Sequence, residues 1–169
     1  MHKRSVEAIV EALNAHSVRY LIAGGLAVVA HGYVRFTADV DIILDLRTEN
    51  VQRAIAAFGS LGYRPRAPVP LDDFADPVKR LQWVREKGLT VFSLYSPDHP
   101  ATEVDVFVEA PLDFDQAFRA AARMDVSPRA SAIFVALDDL LSLKRQAGRP
   151  QDLQDIDRLQ AIRRDESSE

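Results

Sequence analysis

Residues 18–46 read VRYLIAGGLAVVAHGYVRFTADVDIILDL. Val18 to Ala23 is short, apolar and rich in strand formers, and it stops at Gly24-Gly25. Leu26 to His31 then reads as a helix that Gly32 ends. A second strand follows at Ala38-Asp39-Val40-Asp41-Ile42-Ile43-Leu44, with two acids two positions apart. Side chains alternate along a strand, so Asp39 and Asp41 share one face. Two carboxylates so placed repel and raise each other's pKa unless something cationic lies between them. Magnesium answers that need, since it takes one or two carboxylates and completes its shell with water and substrate phosphates. An exposed edge strand with two solvated acids would carry the same pattern, so Asp-x-Asp does not decide the matter alone.

Working outward, Ser5 to Ala15 places Val6, Ile9, Val10 and Leu13 on one helical face. Thr48 is a fair N-cap for a helix to about Leu61, with Gly62 as its stop. Pro65, Pro68, Pro70 and Pro77 predict a surface loop, a plausible rim of a site. Val78 to Glu86 reads as a short helix and Leu89 to Tyr95 as a strand. After the turn Ser96-Pro97-Asp98-His99-Pro100, residues 102–109 alternate as a second strand, which makes a hairpin. Asp113 to Met124 reads as a helix and Ala132 to Ala136 as a last strand. Two helices, Leu137–Ala147 and Gln151–Arg164, are split at Gly148-Arg149-Pro150. Helices and strands intermingle and the hairpin forces antiparallel pairing, so the expected class is α+β, or mixed α/β, with helices packed on a mixed sheet and a C-terminal helical pair. One domain over residues 1–164 and a frayed tail over 165–169 are expected.

Composition narrows the chemistry. The chain has no cysteine, which removes disulfides, thiolate nucleophiles and cysteine–zinc sites together. A net charge of −4 gives no global basic field of the kind that coats nucleic acid. The N-terminus Met1–Glu7 has no apolar run of signal-peptide length before its next charge, and the most apolar stretch, residues 20–30, is about half a membrane span. The expectation is a soluble cytoplasmic protein without a membrane partner. Phosphate-loop, dinucleotide-binding and Gly-x-Ser-x-Gly patterns are absent, and the four histidines form no pair at metal-ligand spacing.

What remains converges on phosphate. Asp105 sits in Val104-Asp105-Val106-Phe107-Val108, a second apolar strand with an acid among β-branched residues. Three carboxylates from two adjacent strands suit a two-metal site for in-line phosphoryl or nucleotidyl displacement. Glycines at 24 and 25 let backbone approach a phosphate where a helix begins, although a tight strand–helix turn would use them equally. Arg35 and Thr37 bring a guanidinium and a hydroxyl to the same strand, or form a solvated strand entry. Bland readings suit other residues: packing or capping for His31, solvation for His99, packing for Trp83. Lys79, Arg80, Arg85 and Lys87 read as a solvated helix face that could also greet an anionic acceptor such as RNA. Arg149 and Asp152 read either as a local Arg–carboxylate pair with capping or as a substrate-facing arginine.

A Gly-Gly strand–helix turn, then Arg35-x-Thr37-x-Asp39-x-Asp41, then Asp105 on a later strand, resembles the nucleotidyltransferase superfamily that includes DNA polymerase beta. Residues 140–153, LLSLKRQAGRPQDL, make it similar to the small bacterial branch of AbiEii-type toxins and MNT-like minimal nucleotidyltransferases. The resemblance runs from Val18 to about Gln160 and is weakest between Gly62 and Pro100. It implies a nucleoside triphosphate as substrate and Mg²⁺, or Mn²⁺, as cofactor. Asp39 and Asp41 match the metal-binding pair, and Asp105 the third acid, which can also help deprotonate the acceptor hydroxyl. Gly24 and Gly25 match the phosphate-contacting turn, and Lys144 a basic position near the triphosphate. Many active members carry Gly-Ser where this chain has Gly24-Gly25, so a serine contact to the β- and γ-phosphates is missing. The expected reaction moves a nucleoside monophosphate to a hydroxyl of a protein, a tRNA or a small molecule, and the resemblance implies a place in a toxin–antitoxin system as one setting for it. A partner protein or a homodimer mate would help present the acceptor to so short a chain. The alternative is a nucleotide- or partner-binding module of the same fold with little or no turnover.

Overall fold

The computed structural model describes residues 1–167. Helix α1 (Lys3–Ala15) buries the stripe Val6, Ile9, Val10 and Leu13. Strand β1 (Tyr20–Ala23) is buried at every position and runs directly into helix α2 (Gly24–Ala30). Residues 31–38 lead to β2 (Asp39–Leu44), whose alternation leaves the acids half-buried and sinks Val40 and Ile42. Helix α3 (Thr48–Ser60) follows and packs on α1. Next come the two-residue strand β3 (Arg64–Pro65), a 3₁₀ turn (Leu71–Ala75), helix α4 (Pro77–Lys87) and strands β4 (Val91–Tyr95) and β5 (Glu103–Phe107). The chain closes with α5 (Phe114–Ala120), β6 (Ala122–Ser127), β7 (Ala130–Phe134), α6 (Leu137–Ala147) and α7 (Pro150–Glu166).

These strands form one seven-stranded mixed sheet in the order β3-β4-β5-β2-β1-β7-β6. The expected hairpin is the antiparallel pair β4–β5. Two parallel pairings, β2–β5 and β1–β7, hold the centre. Helix α2 packs against both β2 and α6, and α6 packs on α7, so the C-terminal helical pair reaches the end of the sheet where β1 gives way to α2. The mixed α/β class is therefore the one the sequence predicts.

Four local expectations differ from the structure. The helix expected to run to Met124 ends at Ala120, and residues 122–127 form β6, antiparallel to the buried strand β7. Alanine, arginine and methionine favour helix, but pairing with a core strand outweighs propensity. The proline-rich stretch is not a plain loop: it holds β3 and the 3₁₀ turn, whose Phe74 is buried against Phe92 with ring centroids 5.0 Å apart. Arg80 is not on a solvated face; it is 6% exposed and donates to the Phe74 and Leu46 carbonyls. His99 stacks on Tyr63 at 5.7 Å, with Nδ1 3.0 Å from Ser5 Oγ, rather than being simply solvated. Other expectations agree: Trp83 is packed against Phe92, and His31 caps α2 with Nε2 2.8 Å from the Val135 carbonyl. Of the tail expected over 165–169, Asp165 and Glu166 lie in α7, and residues 168–169 lie outside the described residues. Among the described residues, no helix is long and apolar enough to cross a membrane.

Candidate active site

The register of the parallel pair β2–β5 sets Asp39 beside Glu103 and Asp41 beside Asp105. Alternation then puts Asp39, Asp41 and Asp105 on one face, the face opposite Val40, Val104 and Val106. One carboxylate oxygen from each of the three lies within 4.8 Å of the others, and all three residues are half-buried. Burial, then the charges of Asp39 and Asp105, push the Asp41 carboxyl up to about 6. Asp105 is also raised, by burial first and then by Asp39 and Glu103, against an opposing hydrogen bond from Ser93. Three acids this close, with two held above the ordinary carboxylate range, form a donor set that fits a hard divalent cation.

Two further residues of the site region carry no sequence signal of their own. Ser93 on β4 is the register partner of Asp105, and its Oγ donates to Asp105 Oδ1 at 2.5 Å. Only the hairpin register identifies it. Asp155 on α7 is wholly buried and is described below with its partners.

The turn at the start of α2 lies directly on Asp41. Gly24 has φ +60°, and a Cβ there would fall 1.8 Å from Asp41 Oδ2. The Gly25 backbone hydrogen-bonds the same carboxylate. Gly25 has a different constraint: a Cβ there would lie 2.4 Å from Thr37 Oγ1 and 3.2 Å from Arg35 Nη1. The Thr37 hydroxyl and the Arg35 guanidinium therefore occupy the space that a serine side chain at position 25 would need. Residues 34–37 alternate, with Arg35 and Thr37 turned to the turn while Val34 and Phe36 are more than 80% exposed.

Lys144 is brought near Asp41 and lowers its pKa, yet it is not a free surface cation. It is 5% exposed, and its Nζ lies 2.9 Å from Asp152 Oδ1 and 2.9 Å from Asp155 Oδ2. Asp155 also sits 2.8 Å from Arg35 Nε and accepts from Arg35 Nη2 at 2.9 Å. Asp152 accepts from Arg149 Nε at 2.7 Å and from the Arg149 backbone N–H at 3.1 Å, which caps α7. Both readings of Arg149 meet here: it makes the local pair, and its exposed guanidinium feels the charges of Asp41 and Asp39. Burial opposes ionisation of Asp152, but Arg149 and Lys144 outweigh it and hold the carboxyl down at about 2.

The mixed seven-stranded sheet with helices packed on it matches the fold of solved nucleotidyltransferase structures. Among solved structures, the chain is similar to ANT(2")-Ia in complex with adenylyl-2"-tobramycin, at 13% identity and TM-score 0.55, covering 93% of this chain and 86% of that one. It is similar also to a Thermotoga maritima protein described provisionally as a nucleotidyltransferase, at 13% identity and TM-score 0.53, covering 98% and 92%. No family model and no curated protein matches the sequence.

Proposed function

We propose that this protein is a Mg²⁺-dependent nucleotidyltransferase of the small bacterial AbiEii- and MNT-like branch, moving a nucleoside monophosphate from a nucleoside triphosphate to a hydroxyl. The observation that carries the reading is the convergence of Asp39, Asp41 and Asp105 within 4.8 Å, with Asp41 held at about 6. Asp39 and Asp41 would hold the metal, with Asp105 completing its shell. A bound divalent ion supplies charge neutralisation at the transferring phosphate. In the reaction the acceptor oxygen bonds the α-phosphorus, the bond to the β-phosphate oxygen breaks, and pyrophosphate leaves.

The chain's own groups account for the rest. Asp105 has Oδ1 occupied by Ser93, which leaves Oδ2 to take the hydroxyl proton, and its raised pKa makes it a better base than an ordinary carboxylate. Arg35 and Thr37 meet over Gly25 and offer a guanidinium and a hydroxyl to the β- and γ-phosphates, where the missing serine would have acted. Lys144 stays behind Asp41 as a fixed positive charge. The adenylylated tobramycin in the ANT(2")-Ia structure makes small-molecule hydroxyls one acceptor class to test here, beside a tRNA end and a partner protein.

Labelled nucleoside triphosphates, Mg²⁺ and cell extract test the reading. Wild-type protein labels an acceptor, and Asp41→Asn abolishes labelling while remaining folded. Equal labelling by Asp41→Asn would show that the site is misassigned. Binding of nucleotide with no labelling by the wild type, across all four triphosphates and a broad range of acceptors, would favour the binding-module reading.

A further inference from the structure

Asp155 carries a buried charge for which the chemistry above has no use. It is 0% exposed, lies on α7, and contacts Arg35, Lys144 and Gln151, whose Nε2 donates to Oδ1 at 3.1 Å. A buried ion cluster rarely repays its desolvation when compared with well-packed apolar side chains, so stability alone accounts poorly for it. Its partners differ in how they are held. Lys144 has a second carboxylate in Asp152, whereas Asp155 is the one carboxylate given to Arg35 among the described residues. Among the described residues, the guanidinium's other anchor is Nη1 donating to the Phe36 carbonyl at 2.8 Å. Its Nη1 lies 3.2 Å from where a Gly25 Cβ would stand.

We infer that Asp155 is a positioning residue: from the C-terminal helix it fixes the Arg35 guanidinium over the Gly24-Gly25 turn, in the orientation that receives a phosphate. The inference rests on the phosphate-binding reading of Arg35. Arginine has five donors in a rigid fork, and here one N–H of each Nη nitrogen is committed to protein, leaving the other of each for ligand. Fixing the fork before the ligand arrives removes the entropy cost of ordering a long side chain on binding. The arrangement also ties phosphate recognition to the docking of α7, an element far from the triad in sequence.

Calorimetry with Mg²⁺-tripolyphosphate as the probe tests this without needing the correct base or acceptor. Wild type binds, and Asp155→Asn weakens binding about ten- to a hundredfold, the range for a charge-assisted contact. Arg35→Gln weakens it comparably, and Asp155→Asn then adds nothing in the Arg35→Gln background. Additive losses, or unchanged binding by a folded Asp155→Asn, would overturn the inference alone. No binding by wild type would overturn both it and the phosphate reading beneath it. Where Asp155→Asn does not fold, Arg35→Lys decides: it keeps the charge but cannot span Asp155 and the Phe36 carbonyl together, so it loses the same affinity, and wild-type affinity in that variant would refute the positioning role.

Discussion

Asp41 and Asp105 are register partners across the parallel strands β2 and β5, so a single rung of the sheet presents both carboxylates to the same face. The rung continues outward to Ala23, just before the glycine turn, and to Ser93, the donor to Asp105. A register slip of one residue on either strand would turn one acid into the core.

Metal binding follows from that rung. Mg²⁺ or Mn²⁺ at millimolar concentration is expected to raise the melting temperature, because a ligand bound only by the native state stabilises it. Differential scanning fluorimetry with and without chelator checks this, and Asp39→Asn/Asp41→Asn is expected to lose the shift. An unchanged melting temperature in the wild type would count against a cation site.

The Asp41 carboxyl gives a pH signature. Its native pKa, about 6, lies above the ordinary aspartate value of 3.8, so the native state binds more protons than the unfolded state between those values. Metal-free stability therefore falls as pH rises from about 4 to 6, and the penalty stays constant above, on the order of 3 kcal/mol at most. Asp41→Asn is expected to stabilise the chelated protein at pH 8 and to give no such gain below about pH 4. Denaturant melts at both pH values measure it, and an equal effect at both would refute the burial argument.

The glycine turn is expected to be intolerant for two distinct reasons. Gly24→Ala needs a left-handed residue with its methyl in the Asp41 carboxylate, so it should cost at least about 1–3 kcal/mol and abolish metal binding. Gly25→Ser, which would restore the Gly-Ser pair expected from the resemblance, should destabilise because Thr37 fills its place. Adding Thr37→Gly, which removes both the hydroxyl and the Cβ that would lie 2.4 and 2.8 Å from the new Cβ, should recover part of the stability. Thermal melts of the single and double variants distinguish steric conflict from simple loss of a glycine.

The Lys144 cluster should be costly to break. Lys144→Met removes the cation shared by two buried carboxylates and is expected to destabilise by about 3–5 kcal/mol. The depressed pKa of Asp152, about 2, means that its contribution is fully present above the ordinary carboxylate range and is lost as pH falls through about 2. Acid unfolding in that window should weaken in the Lys144→Met variant, which urea melts across pH 2–5 would show.

Elements whose signals are local can be read from the residues alone. Helical spacing marked α1, alternation placed Asp39 and Asp41 on one face, and the Pro97 turn implied the β4–β5 hairpin. The order of helices and strands gave the class, and composition excluded cysteine chemistry. Features that depend on partners distant in the chain emerge when the elements pack together. Residues 122–127 became a strand because β7 lay open beside them. Gly25 could not be serine because Thr37, twelve residues on, returns over it. Lys144 proved buried and doubly paired because α7 supplies Asp152 and Asp155. Periodicity and propensity report on a residue's near neighbours, whereas register, side-chain collision and the desolvation of charge depend on which elements meet.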